Sequence, residues 1–245
     1  MRPVVIARWE APSKGSPALP GYCRPVCFSA QADLVGGLVL GGIGFDAVRH
    51  VHRRRDHLAL AALPLLLAAH QVDEAFVWWG LHGIVGPGVG RVATWVYLLF
   101  AFVVLPVYLP LAVFELEPPG RQRAVMAALV GLGAVVSGVL LVAMVVGPVT
   151  AVLGDQHISY GIGLHAGYLI VVAYVVATCG ALLFSGYRDL AIFGVVNLVA
   201  VAVLARLTID GFASLWCAWA AVTSGVIAAY LRFGAPHRSV VAALT

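Results

Sequence analysis

A chain of 245 residues that is 62% hydrophobic and 11% charged, with mean hydropathy +0.97, has too little polar surface to cover a soluble globule. Its formal charge of +4 comes mostly from residues 1–26, where Arg2, Arg8, Lys14 and Arg24 outweigh Glu10, so the basic pI is no sign of a nucleic-acid partner. The expected class is an all-α, polytopic membrane protein in contact with lipid.

Residues 1–26 contain five prolines, no apolar stretch like a signal peptide and no helical period, and read as a disordered tail. A single transmembrane domain is expected over 27–233, with a short cytoplasmic tail at 234–245. Seven apolar segments within it are each long enough, at about 1.5 Å per residue, to cross about 30 Å of hydrocarbon. They run over 30–48, 57–81, 92–114, 124–146, 165–185, 189–206 and 211–232. Pro64, Pro106 and Pro110 fall inside spans and predict kinks. Gly37 with Gly41, and Gly133 with Ser137, have the spacing that lets two helices approach closely. The segment 147–164 reads as a long outer loop, and no strands are expected.

Basic residues set the orientation. Arg49, Arg53, Arg54, Arg55, Arg121, Arg123, Arg188, Arg232 and Arg238 fall on one side of the seven-span arrangement, against Arg91 and Arg206 on the other. Loops rich in arginine stay cytoplasmic, which puts the amino end of the domain outside and the carboxyl end inside.

The second span ends in AAHQVDEAFVWWG, residues 68–80, which is unusual for an intramembrane stretch. His70 and Glu74 share a helix face, with Trp78 next along the stripe and Gln71 and Asp73 nearby. Ionisable groups at such depth cost about 2.5–3.5 kcal/mol each on insertion scales and are functional candidates. Other polar residues gather at the same outer level: Cys27, Ser29, Asp33, His157, Tyr160, His165 and Asp210. Several have plainer roles open to them. Ser29 suits a helix N-cap and Asp33 a first helical turn; Trp78, Trp79 and Trp95 suit an interfacial belt; His157 suits a turn.

The stretches CFSAQADL at 27–34, AAHQVDEAFVW and HISYG carry a resemblance. Together they resemble an uncharacterised family of bacterial membrane proteins whose members typically begin Met-Cys-Phe-Ser. The resemblance runs from 27 to about 232, implies a multi-pass protein of the bacterial inner membrane and brings no established activity. It also implies that translation begins at Val26, which would leave Cys27 at the amino terminus once the initiator is removed.

Three readings of the polar set stand open. In the first, Cys27, His70, His157 and His165 ligate zinc or another transition metal, with Glu74 or Asp33 as general base, giving a hydrolase for a lipid or other amphiphile. The absence of a compact H-x-x-x-H string weighs against it. In the second, His70, Asp73 and Glu74 pass protons or hold a cation in a transporter or channel; Asp46 and Asn197 are the main polar residues continuing inward. In the third, His70 and His165 are haem ligands in a sensory protein. A retinal Schiff base is excluded from the domain, since Lys14 is the chain's only lysine.

Overall fold

A computed structural model describes residues 29–53, 55–154, 157–164, 167–207, 219 and 223–231. The order is α1 (Ala30–Val51), α2 (Arg55–Leu81), α3 (Pro87–Leu99), a π-helical turn (Phe100–Val104), α4 (Leu105–Leu116), α5 (Arg121–Val146), β1 (Val149–Leu153), β2 (Ile158–Ile162), α6 (Gly167–Leu183) and α7 (Arg188–Leu207). A further helical stretch covers 223–231. Four helices are long and apolar enough to cross a membrane: α1, α2, the continuous Pro87–Leu116 rod and α5. The described part of the chain is mostly helical and compatible with a membrane protein. Of the other three expected spans, α6 is a shorter apolar helix, α7 has 20 residues, and much of 211–232 lies outside the described residues.

Close packing of α1 on α2 follows from sequence period. Ala30, Asp33, Gly37, Leu40, Gly44, Ala47 and Val51 are the buried positions of α1, alternating three and four residues apart. That spacing makes the seam of a left-handed helix pair. Val35, Leu38, Val39 and Phe45 stay exposed and form an apolar side compatible with contact with lipid. The glycines matter here because a Cβ on Gly37 would meet the Ala68 carbonyl at 3.0 Å, and one on Gly44 the Leu65 nitrogen at 2.7 Å. Gly41, expected to take part, has only the Ala68 Cβ nearby, at 3.9 Å. The small-residue seam is therefore Gly37–Gly44.

Pro106 produces the anticipated irregularity in the third rod, and neighbouring helices repair it. The Leu105 N–H bonds back five residues to the Phe100 carbonyl, so Ala101 would look to Pro106, which has no N–H to give. The Tyr174 hydroxyl of α6 donates to Ala101 O at 2.8 Å, and the Ser137 hydroxyl of α5 donates to Val103 O at 2.7 Å. Hydrocarbon cannot satisfy a loose carbonyl, so the Tyr174 hydroxyl replaces the donor that Pro106 withholds from Ala101, and the Ser137 hydroxyl adds a second tie at Val103. Ser137→Ala and Tyr174→Phe should each lower stability by about 1 kcal/mol, read as thermal unfolding in detergent.

The expectation of a strandless chain is corrected at 149–162. β1 and β2 form an antiparallel hairpin in which Val149 faces Ile162, Ala151 faces Tyr160 and Leu153 faces Ile158. β1 is rich in β-branched residues (Val149, Thr150, Val152) and β2 alternates Ile158, Tyr160 and Ile162 with small residues, with Gly147 and Pro148 ending α5 before them. Two strands alone are marginal in water. These hold because Ala151 and Ile158 are buried, with Val149, Tyr160 and Ile162 beside them, in one cluster with Ala30, Trp78, Ala93 and Tyr97. The hairpin thus covers the end of α1–α3 where the polar residues lie.

Candidate functional site

The Gln71–Glu74–Trp78 face of α2 runs along α1. Gly36 lies against Gln71, where an added Cβ would meet Oε1 at 2.8 Å, and the Asp33 carboxylate accepts a hydrogen bond from the Trp78 indole. Glu74 falls between those two contacts on the same helical face. Asp33 is 8% exposed and Glu74 1%, so two carboxyl groups from different helices are enclosed in one seam.

His70 faces α3 from one turn deeper. Its ring stacks on Tyr97 at 4.0 Å between centroids and lies 4.6 Å from Phe100, the first residue of the π turn. Tyr97 in turn stacks on Tyr160 of the hairpin at 4.3 Å. The result is a column, imidazole to phenol to phenol, running from the seam to the hairpin. His70 is only 8% exposed, and its Nδ1 has no hydrogen-bond partner among the described residues. Asp73 is half-buried, with Oδ2 likewise unbonded. Imidazole and carboxyl groups enclosed by aromatic rings can exchange a proton or hold a small cation while excluding bulk water.

Other candidates stand elsewhere. Ser29 caps α1, its Oγ accepting from the Ala32 N–H at 3.3 Å. His157 sits at the hairpin tip, with its ring over Gly154 and its carbonyl accepting from the Gly154 N–H at 2.8 Å. Trp78, expected in an interfacial belt, is instead 5% exposed and part of the site. Cys27, His165 and Asp210 lie outside the described residues. Among the described residues, no group of three or more His, Cys, Asp or Glu side chains is placed to hold a metal ion. Asn197 bonds the Phe193 carbonyl and accepts from the Trp219 indole at 2.7 Å, which ties helices together.

A second polar centre lies at the opposite end of the Pro87–Leu116 rod and was missed in the sequence. Glu117, 2% exposed, accepts from the Ser185 hydroxyl at 2.7 Å and the Gly186 N–H at 2.6 Å. The Arg123 guanidinium donates to the Glu117 carbonyl at 2.6 Å and covers the Phe114 ring at 4.2 Å. Placed next to two prolines in FELEPPG, Glu117 resembles an ordinary solvated loop acid.

A family model matches residues 26–241, which include every described residue and so this buried seam. The chain belongs to the family of unknown function DUF6629. No curated protein and no solved structure matches it. The DUF6629 match spans the residues on which the resemblance rested and assigns no chemistry to them, so the activity of this DUF6629 member has to be argued from its own side chains.

Proposed function

We propose that the protein is a proton- or cation-coupled transporter or channel of the bacterial inner membrane, with Asp33, His70, Asp73 and Glu74 as its ion-binding centre. The observation that carries this reading is His70: a buried imidazole, one turn from Glu74, with an unbonded ring nitrogen held in an aromatic column. Intramembrane ionisable groups that line a protein interior mark ion and proton pathways. Seven crossings, with the amino end outside, complete the proposal. In support, Arg49, Arg53, Arg55, Arg121, Arg123 and Arg188 all stand at the helix ends opposite the hairpin. The Glu117 centre supplies polar groups at that inner end, where the sequence offered few.

Infrared difference spectroscopy of the protein in proteoliposomes, stepped between acidic and alkaline buffer, tests the centre directly. The wild type should show a carboxyl carbonyl band that changes between steps and is missing from Glu74→Gln, together with imidazole bands missing from His70→Phe. Spectra of correctly folded variants that match the wild type at every step would overturn the reading. A metal-dependent hydrolase needs donors such as Cys27 and His165 beside His70, and His157, to close a ligand set. Its signature is one zinc or other transition metal per chain in elemental analysis, a result that would replace the ion-coupled reading.

A further inference from the structure

We propose that a cavity beside Arg91, separate from the ion-binding centre, is a headgroup site for a phosphate-bearing anionic lipid. The cavity has a volume of about 260 Å³ and opens between the end of α2, the start of α3 and β1. Val77, Leu81, Trp95 and Val149 give it apolar walls, while Thr94 and Arg91 are its polar side chains. It lies where two spans end, the level at which lipid headgroups sit. Its shape depends on a contact between two glycines, since a Cβ on Gly90 would meet the Gly80 Cα at 2.8 Å.

Arg91 is otherwise poorly explained. It makes no ion pair among the described residues, and it stands in the second turn of α3, where no acidic side chain of the first turn offsets its charge. A bound anion would give the guanidinium the partner it lacks within the chain. Guanidinium is well matched to phosphate through paired hydrogen bonds, and the apolar walls suit the glycerol and upper acyl portion of a lipid. Inorganic phosphate would have no use for those walls, so the bilayer is the favoured source.

Native mass spectrometry of the full chain released from detergent, with phosphatidylglycerol or phosphatidylcholine added, tests the site. The wild type should retain phosphatidylglycerol more strongly than phosphatidylcholine, whose choline cation offsets the phosphate charge. Arg91→Gln should weaken that retention about tenfold, and Arg91→Lys should restore part of it. Glycerol 3-phosphate should compete only weakly. Competition by glycerol 3-phosphate as strong as that by the lipid would overturn the lipid source in favour of a free anion. Equal retention of both lipids by wild type and Arg91→Gln would overturn the site itself. Arg91 is exposed, so loss of folding is not expected, and circular dichroism of each variant checks it. None of these outcomes depends on the carboxyl bands of the ion-binding centre.

Discussion

Substituting valine for Gly133 should cost about 3 kcal/mol or prevent folding, whereas Gly131→Ala, two positions away, should stay within about 0.5 kcal/mol of wild type. A Cβ on Gly133 would collide with the Pro106 carbonyl, an atom of the facing backbone that has no rotamer to move to. Pro110 cannot donate to that carbonyl from within its own helix, which leaves it turned toward α5. Relief would require α5 and the α3–α4 rod to separate, and the Ser137 bond to Val103 O, one turn along, would open with them. Gly131 has nothing within 4 Å of an added Cβ, so a methyl there meets open space. Thermal unfolding of the two variants in the same detergent compares a packing glycine with one that serves no contact.

Glu117→Ala should lower stability by about 3 kcal/mol, and Glu117→Gln by clearly less. Alanine leaves the Ser185 hydroxyl and the Gly186 N–H buried without their shared acceptor, while glutamine keeps an oxygen on the same stem. The loss should be local at first. Glu117 holds the α6–α7 connection against the end of α4, where the Tyr187 hydroxyl also donates to Leu116 O at 3.1 Å. Hydrogen exchange across 184–190 should therefore accelerate more than exchange in α1 or α2. Uniform acceleration throughout the chain would show that Glu117 acts on the whole bundle and not on this joint.

Residues with a strong one-dimensional signal were legible from the chain. The four long spans start or end within about five residues of their expected limits. The packing role of Gly133 with Ser137 is a local consequence of helical period, whereas His70, expected to share a face with Glu74, packs on Tyr97 of α3. The burial of Trp78 was not legible, because a tryptophan near a span end suits a belt equally well and its cover comes from α1, α3 and the hairpin together. The hairpin has a period-two pattern in Ile158, Tyr160 and Ile162, but so short a strand beside membrane-compatible helices does not declare which side is covered. Glu117 and the Arg91 cavity depend on partners 68 residues away for the former and on three separate elements for the latter. No local rule connects such positions.

The π turn joins these parts mechanically. Its Ala101 and Val103 carbonyls are gripped by α6 and α5, and its first residue, Phe100, touches the His70 ring. In the proposed ion-coupled cycle, a tilt of that imidazole would press on a single coil that two other rods hold by their hydroxyls. The coil would then act as an elbow, carrying a small movement at one wall of the protein sideways to two others without any rod having to slide along its length.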